Sequence, residues 1–522
     1  MKIKNEELQG RIKELHSNYN LEFHYTNSVT ESKKFLTQIE KNVKNSIAVD
    51  IETTGLDIIR DRMLGLVLGL NTKKSVYISV KGWDDKKIVE LIEGVNNLPN
   101  KKIMHNMHFD CCFTMARYGV ELKADHDTMI YAFCLYTDFV YQKISISLKE
   151  LTRRMTDFGD YEADLNEFKK QYCKENKIKQ DEFKYDLLPE IMLSSYACMD
   201  GIATIILFNK FMKKKLQEIN NGWDKLDSLL QLKHDVTHIY NKMKVRGVLV
   251  DRKRVTELYN EWTEKANEIY NELKSMKEIK KSESIIKREV LKKAQEKRKS
   301  LLPLSRCRKL WKESIFNFNS NAHLTILFYK VLELPVVKKT DKGEPSTDSE
   351  VIEIFAEKGI EFMTKLNEYG KYRKGLDGFL GVETGKGITE YTTEDHPIVH
   401  SNFNHCGTAS SRVACTSPNL SQVPSRSVLK KVKQCYIARK GYNFIGFDYS
   451  SAELYIATAI SKEKNYLQVI EDGLDFHSIN ALNAFESKMT DMPQGLTRNE
   501  KLNFIKENYG ATWRYYAKAL GF

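Results

Sequence analysis

The stretch S-I-A-V-D-I-E-T-T-G-L-D, residues 46–57, sets the framework for reading the whole chain. Its apolar run leads to Asp50 and Glu52, which stand two positions apart. Alternation along a β-strand puts residues i and i+2 on the same face, so both carboxylates should point the same way. Crowded carboxylates repel each other unless a cation neutralises them, and hard oxygen ligands suit Mg²⁺ or Mn²⁺. The stretch therefore predicts a strand that presents an acidic pair, which by itself is either a metal site or two solvated surface acids.

Two later segments add polar residues of the same kind. H-N-M-H-F-D, residues 105–110, contains Asn106 and Asp110, and S-Y-A-C-M-D-G-I-A-T, residues 195–204, contains Tyr196 and Asp200. Tyr196 and Asp200 are one helical turn apart, so their side chains should share a helix face. Two interpretations of Asn106 stay open at this point, a contact to substrate and an amide cap on the following helix.

The sequence changes in texture along its length. Residues 46–215 mix the β-like runs S-I-A-V-D-I, S-V-Y-I-S-V and K-K-I-M-H-N with helical stretches, which predicts an α/β domain. Residues 216–312 are helical and basic. There K-R-E-V-L-K-K-A-Q-E-K-R-K-S shows little apolar face and is either a spacer helix or an arm along a phosphate backbone. A final strand-then-helix unit is predicted from Asn443 onward.

Composition narrows the class of protein without deciding it. The chain of 522 residues has room for two to four domains, and its net charge of +12 fits a polyanionic partner or simply a lysine-rich proteome. The nine cysteines include no C-x-x-C pair, which predicts neither a zinc site nor a disulfide framework. No apolar run approaches the roughly 20 residues that cross a bilayer, and the polar N-terminus is unlike a signal peptide. We therefore expect no membrane partner.

The acidic segments together resemble the three motifs of the DnaQ-like 3′–5′ exonucleases, in the family's order. D-T-M-I-Y-A at 127–132 and S-L-K-E-L at 147–151 are similar to that family as well, and the resemblance covers about residues 25–215. It implies an RNase H-like domain that hydrolyses DNA with two Mg²⁺ or Mn²⁺ ions. Tyr196 would orient the attacking water and Asn106 would contact the substrate. The implied metal ligands are Asp50, Glu52, Asp110 and Asp200.

A second resemblance, to the family A or DNA polymerase I group of DNA polymerases, covers the rest of the chain. L-K-H-D-V-T-H-I-Y-N-K-M-K-V-R-G-V-L-V-D, residues 232–251, is similar to the opening of their polymerase domain. H-C-G-T-A-S-S-R-V-A-C-T-S-P-N-L-S-Q-V-P, residues 405–424, resembles a segment that implies minor-groove contacts at the primer terminus by Arg412 and a DNA contact by Gln422. The chain has Ser410–Ser411 where the family has Thr-Gly, and Ala414–Cys415 where it has a serine pair.

Two further segments resemble the nucleotide-binding motifs of the same family. N-F-I-G-F-D-Y-S-S-A-E-L-Y, residues 443–455, is similar to motif A, in which Asp448 would bind the polymerase metals and Glu453 would exclude ribonucleotides. His477, in G-L-D-F-H-S-I-N, stands where the family has a triphosphate contact, and a structural histidine within a helix is the open alternative. The last residues, R-Y-Y-A-K-A-L-G-F, resemble the start of motif B. This implies that Arg514, Lys518 and Phe522 bind the incoming dNTP.

These resemblances predict four segments: an N-terminal arm (1–24), the exonuclease domain (25–215), a basic helical thumb (216–400), and a partial palm with the start of the fingers (401–522). The family's His-Asp-Glu hairpin does not follow residue 448. We therefore expect the N-terminal part of a proofreading DNA polymerase, in a bacterial or phage-infected cytoplasm, that needs a C-terminal polymerase fragment as partner. The alternative is a stand-alone 3′–5′ exonuclease whose polymerase remnant holds DNA.

Overall fold

The computed structural model describes residues 6–8, 10–11, 19–42, 46–296, 301–510 and 512–519. These residues form two compact units, Met1–Arg439 and Lys440–Phe522. The predicted exonuclease and thumb segments thus belong to the same unit. Phe522 lies outside the described residues.

A six-stranded mixed sheet forms the first part of unit Met1–Arg439. Its order is β1-β4-β3-β2-β5-β6, with β3 antiparallel to both neighbours and the other pairs parallel. The three predicted β-like runs are strands β2, β4 and β5, whereas the other strands were not predicted. The mixed α/β architecture is confirmed. The bounds are β1 Glu22–Thr26, β2 Ile47–Thr53, β3 Met63–Gly69, β4 Lys74–Ser79, β5 Lys102–Met104 and β6 His126–Asp127.

Helices surround this sheet, and the longest packs against β2, β3 and β4 through a glycine contact. A Cβ atom added to Gly69 of β3 would lie 2.4 Å from the carbonyl oxygen of Gly201, so glycine permits the close approach of the two backbones. Asp200, next to Gly201, is thereby brought to the sheet. The helices here are Val29–Asn42, Asp85–Asn96, Met107–Tyr118, Thr128–Leu135, Thr137–Tyr141, Leu148–Met155, Ala163–Asn176, the 3₁₀ turn Tyr185–Leu187, and the long helix Glu190–Asn220.

The long helix Glu190–Asn220 bears on two sequence expectations and corrects the second of them. It runs without a break past residue 215, where the predicted exonuclease domain ends. It is also long and apolar enough to cross a membrane, contrary to the expectation that no run approaches that length. Because 78% of its apolar window is buried inside the protein, it is a core helix of the domain.

The remainder of unit Met1–Arg439 is mainly helical and has its own core, with Trp262 and Leu258 at its centre. Two small sheets order as β11-β7-β8 and β10-β9. The α-helices are Leu226–Arg246, Arg252–Ser275, Lys277–Glu296, Leu304–Glu313, Asn321–Ile326, Ser349–Glu357, Glu361–Lys374 and Ile388–Tyr391, with π-helices Leu327–Val331 and Gly375–Leu380 and 3₁₀ turns Leu420–Gln422 and Val428–Cys435. The strands are β7 Val248–Val250, β8 Ile398–Val399, β9 Asn402–Asn404, β10 Ala414–Thr416 and β11 Tyr436–Ile437.

The basic run 287–300, predicted to have little apolar face, begins within helix Lys277–Glu296, whose buried residues precede the run. In helix Lys277–Glu296, Ile279 and Ile286 are buried in the core cluster, and Ile285 and Val290 pack against it. The helix is therefore anchored along one side, and its lysines project from the other. Because none of residues 287–296 is fully buried, the described part of the run agrees with the expected small apolar face.

Unit Lys440–Phe522 is built from helices, and the strand predicted at 443–448 does not form. This segment pairs with no strand among the described residues, and Ile445 and Phe447 are 86% and 93% exposed. A strand needs a hydrogen-bonded neighbour, so apolar alternation alone cannot create one. The helices are Ala452–Ser461, Lys464–Glu471, Phe476–Phe485, the 3₁₀ turn Glu486–Lys488, Arg498–Asn508 and Trp513–Ala519.

Candidate active site

Three carboxylates converge at the end of β2. Asp50 and Glu52 come from the strand and Asp200 from helix Glu190–Asn220, and each offers an oxygen within 4.8 Å of the others. Glu52 and Asp200 are buried, at 7% and 5% exposure. Hard oxygen ligands at this spacing suit a divalent cation. We call this group the acidic triad.

In the acidic triad, burial and the neighbouring carboxylates disfavour the charged form of the carboxyl groups. Burial, and then the neighbouring Asp200 carboxylate, raise the pKa of Asp50 to about 7. Burial, Asp50 and Asp200 also raise the pKa of Glu52 well above its ordinary value. The Lys149 ammonium opposes both shifts. A cation bound here would relieve the same repulsion, so the donor set fits a divalent metal ion.

Asp110 lies beside the acidic triad without belonging to the convergent group. It is 2% exposed on helix Met107–Tyr118, and its Oδ1 accepts a hydrogen bond from the Ile51 backbone N–H at 3.1 Å. Burial and then Asp50 raise its pKa well above the usual range. Its position ties the helix to the strand residue between Asp50 and Glu52.

Asn106 stands at the start of helix Met107–Tyr118 in a left-handed conformation, with φ of 65°. Its side chain makes no capping hydrogen bond to a described residue, so the helix-cap interpretation is wrong. Asp127 accepts the hydrogen bonds at the start of this helix instead. Its carboxylate accepts backbone N–H groups of Asn106 and Met107, each at 2.9 Å, and of Met129 at 2.8 Å.

Asp127 was missed as a site residue, although it opens the D-T-M-I-Y-A motif. It is 1% exposed. Because it holds the turn before Asp110 and caps the next helix, it fixes the wall of the site. The signal was the motif itself, since an aspartate directly before a helical run is a capping position.

Tyr196 is half-buried one turn before Asp200, as the i to i+4 spacing requires. Burial and then the Asp200 charge raise the pKa of its phenol well above 10. A tyrosine hydroxyl is protonated at neutral pH, and these surroundings disfavour its ionisation further, so it can donate a hydrogen bond.

Two residues that sequence reasoning gave no role contact the acidic triad directly. Lys149 Nζ donates to Asp200 Oδ1, and the Tyr161 hydroxyl donates to the same oxygen at 2.6 Å. Lys149 lies within the S-L-K-E-L motif, which was recognised as a family signal only. Tyr161 had no sequence signal.

Arg412 and Gln422, the residues expected to contact primer-template DNA, are exposed in unit Met1–Arg439. Arg412 is exposed between β9 and β10, where its carbonyl accepts the Thr408 hydroxyl at 2.7 Å. Gln422 is exposed at the end of the turn Leu420–Gln422.

In unit Lys440–Phe522, the motif A residues are solvent-exposed. Asp448 lies in the unpaired segment, and Glu453 lies in the first turn of helix Ala452–Ser461. His477 is buried on helix Phe476–Phe485, and its Nδ1 has no hydrogen-bond partner among the described residues.

Arg514 and Lys518 occupy helix Trp513–Ala519 one turn apart. Arg514 makes a two-point pair with Asp475, at 2.8 and 2.9 Å. Asp475 was not predicted to matter. It caps the helix that carries His477. Burial opposes ionisation of its carboxyl, but the hydrogen bonds from Arg514 and Ser478 outweigh burial and lower its pKa to about 2. Phe522, the third predicted member of this group, lies outside the described residues.

Two protein-family models match separate parts of the chain. Residues 26–216 match the 3′–5′ exonuclease family model, and residues 286–522 match the model of DNA polymerase family A. The chain thus joins residues of a 3′–5′ exonuclease domain to residues of a family A DNA polymerase domain.

Individual relatives agree with this assignment. The chain is 27% identical to the DNA polymerase of Escherichia phage T5 over 467 residues, which is 86% of this chain and 49% of that protein. It is 25% identical to DNA polymerase I of Borreliella burgdorferi over 492 residues, which is 91% of this chain and 46% of that protein. The chain thus spans about half the length of these curated relatives.

One solved structure shares the fold. The POL domain of Pol1 from M. smegmatis, in complex with DNA primer-template and dNTP, aligns with a TM-score of 0.62 and 17% identity. The alignment covers 95% of this chain and 75% of that one.

Proposed function

We propose that this chain is the exonuclease-bearing part of a DNA-directed DNA polymerase, and that it removes nucleotides from DNA 3′ ends by metal-dependent hydrolysis. The acidic triad carries the proposal. Three oxygens within 4.8 Å of one another on a strand end and a facing helix form a ready divalent-cation site. The exonuclease family model matches the same residues, which supports hydrolysis of DNA from the 3′ end as the reaction at this site.

The chemistry follows from the residues of the site. Asp50, Glu52 and Asp200 would hold Mg²⁺ or Mn²⁺, with Asp110 as the fourth ligand. When bound, two such ions lower the pKa of water and neutralise charge on a leaving oxygen. Tyr196 would donate a hydrogen bond from its hydroxyl and orient the attacking water. Asn106 would contact the 3′-terminal nucleotide.

Linear and circular DNA distinguish this activity from other nuclease activities. The purified chain should shorten a 5′-labelled linear single strand stepwise from the 3′ end with Mg²⁺ or Mn²⁺, and EDTA should stop it. A covalently closed circular strand of the same sequence should stay intact because it offers no 3′ end. Cleavage of the circle, or no hydrolysis of the linear strand, would contradict the proposal.

Tyr196→Phe should slow hydrolysis by roughly 10²-fold and leave metal affinity unchanged, because the carboxylates remain while one orienting hydroxyl is lost. Single-turnover digestion at saturating Mn²⁺ measures the effect. Tyr172→Phe, on helix Ala163–Asn176 of the same domain, is the matched control and should behave as wild type. A Tyr196→Phe rate equal to that of the control would remove the proposed role.

For the polymerase part, we propose that residues 216–400 form a thumb and residues 401–522 a partial palm and fingers. Arg412 and Gln422 would contact primer-template DNA, and Asp448 would bind metal. The dNTP would be bound by Glu453, His477, Arg514, Lys518 and Phe522. The support is the family A match over 286–522 and the Arg514 and Lys518 pair on one helix.

DNA binding by the basic helix should be visible as a salt dependence. Lys292 and Lys293 are exposed on helix Lys277–Glu296, and we propose that they contact phosphates. Changing both to Gln should reduce the slope of log affinity against log salt by about 1–2, since each lost phosphate contact contributes about 0.9. Lys297 and Lys299, which continue this basic run, lie outside the described residues.

Exposed lysines of the exonuclease domain provide the control for this titration. Lys34→Gln with Lys41→Gln removes the same charge from helix Val29–Asn42. Equal slopes for the two double variants would return the basic helix to a purely structural role.

A second candidate function, a stand-alone 3′–5′ exonuclease that only holds duplex DNA, is favoured by one observation. Among the described residues, Asp50, Glu52 and Asp200 alone form a metal-type cluster, and Asp448 is exposed away from other converging ligands. Primer extension separates the two functions. Template-dependent extension by the chain alone would exclude the second candidate. Nothing in the comparisons supports a separate C-terminal fragment, which stays a prediction.

The relatives are polymerases of bacteria and of a bacterial virus. We therefore propose that the chain works in a bacterial or phage-infected cytoplasm, with DNA and dNTPs as its partners. The long helix Glu190–Asn220 is mostly buried and gives no reason to place the protein in a membrane.

A further inference from the structure

Lys149 contacts the acidic triad from outside the motifs that supply the carboxylates. It is the second residue of helix Leu148–Met155, whose first turn is capped by the Ser147 hydroxyl. Its ammonium donates to Asp200 Oδ1 and lies 3.1 Å from the Tyr161 hydroxyl. Because Tyr161 donates to the same Asp200 oxygen, two side chains from separate segments hold one carboxylate oxygen.

The surroundings of the ammonium are those of a bound cation. Nζ lies 4.1 Å from the ring centroid of Tyr196 and 4.8 Å from that of Tyr161, within the range of cation–π attraction. The Glu162 carboxylate is 4.0 Å away. The Lys149 side chain is 24% exposed, so aromatic faces and carboxylates replace much of its water. A lysine on an ordinary solvated helix face has no such enclosure.

The charge of Lys149 has a clear consequence for the acidic triad. Three carboxylates at this spacing, two of them buried, repel one another, and a single ammonium bonded to one of them offsets part of that repulsion. The same carboxylate oxygen, Asp200 Oδ1, would also be a metal ligand under the proposed function. Lys149 and a divalent ion would therefore compete for the same negatively charged oxygen.

We propose that Lys149 is a resident counter-cation of the exonuclease centre, which holds Asp200 in place before a divalent ion binds and competes with that ion afterwards. The inference rests on the proposed metal-dependent function. Lys149 is thus a positioning residue that acts through Asp200. It keeps the acidic triad assembled without metal, and it makes metal binding weaker than three carboxylates alone would give.

Binding of Mn²⁺ alone tests this proposal without any hydrolysis. Lys149→Met removes the charge and keeps the length of the side chain, and we expect it to bind Mn²⁺ about tenfold more tightly than wild type. Lys149→Arg keeps the charge and should stay close to wild type. Titration of free Mn²⁺ by electron paramagnetic resonance at fixed ionic strength measures both.

Stability supplies a second readout. In EDTA, Lys149→Met should unfold at a lower temperature than wild type, and Mn²⁺ should raise its midpoint more than it raises that of wild type. The matched control is Lys184→Met, which removes a lysine paired with Asp61 at 2.7 Å in the same domain. It should lower the midpoint equally with and without Mn²⁺ and leave Mn²⁺ affinity unchanged.

The outcomes separate the two levels of the argument. If wild type binds no Mn²⁺, or binds it as well after loss of Asp50 and Glu52, the proposed function fails. If wild type binds Mn²⁺ through those residues and folded Lys149→Met binds equally or more weakly, only the Lys149 inference fails. If Lys149→Met folds only when Mn²⁺ is present, the inference is supported. If both Lys149→Met and Lys149→Gln fail to fold with and without Mn²⁺, the inference is overturned.

Discussion

Replacing Asp50 and Glu52 together with alanine should reduce hydrolysis of single-stranded DNA on the order of 10⁴-fold or more. The change removes two of the three converging carboxylates, so the remaining Asp200 cannot hold metal at the strand end. DNA affinity should stay within a few-fold of wild type, because the proposed DNA-binding lysines are elsewhere. Single-turnover digestion with Mn²⁺ and equilibrium binding in EDTA measure the two effects separately.

The control must remove equal charge without touching the acidic triad. Glu40→Ala with Glu93→Ala takes two exposed carboxylates from the same domain and should leave the rate unchanged. A double Asp50 and Glu52 variant that hydrolyses DNA at the control rate would show that the acidic triad is not the hydrolytic centre.

In the metal-free protein, the contribution of Asp50 and Glu52 to stability should fall as the pH rises from about 4 to about 7. The pKa of Asp50 is raised from 3.8 to about 7, and Glu52 shifts in the same direction. Over that window the folded chain retains protons that the unfolded chain has released, so the free energy of unfolding falls with increasing pH. We expect a loss of about 1–4 kcal/mol at neutral pH, following 1.36 kcal/mol per unit of pKa difference.

An isosteric variant isolates this effect from the other titrating groups. Asp50→Asn with Glu52→Gln removes both ionisations, so in EDTA its stability should exceed that of wild type at pH 7.5. Near pH 4.5 the two should be similar, since the wild-type carboxyls are then mostly protonated in the folded state. Urea titrations across this range measure the difference. Parallel curves would mean that the two carboxyls are not strained by their burial and proximity.

Much of the candidate site could be predicted from local sequence patterns. The strand alternation around Asp50 and Glu52 and the helical spacing of Tyr196 and Asp200 are properties of single elements, so they can be predicted from spacing. The closeness of the two elements depends on Gly69 and Gly201, which are far apart in sequence. Only the fold shows why glycine is required at both positions.

The misses share one physical cause, which is dependence on distant partners. Lys149 reads as an ordinary helix lysine until Asp200 and Tyr161 are placed beside it. The segment 443–448 has strand-like alternation, but strand formation also needs a neighbour, and none of the described residues supplies one.

The most direct test of the account is to locate the metal. Crystals of the chain soaked with Mn²⁺, and with deoxythymidine monophosphate as product, should show anomalous scattering from manganese. We predict a peak within coordinating distance of carboxylate oxygens of Asp50, Glu52 and Asp200. Manganese bound at other residues, with no ion between these three carboxylates at saturating Mn²⁺ and neutral pH, would contradict the assignment of the acidic triad as the hydrolytic centre.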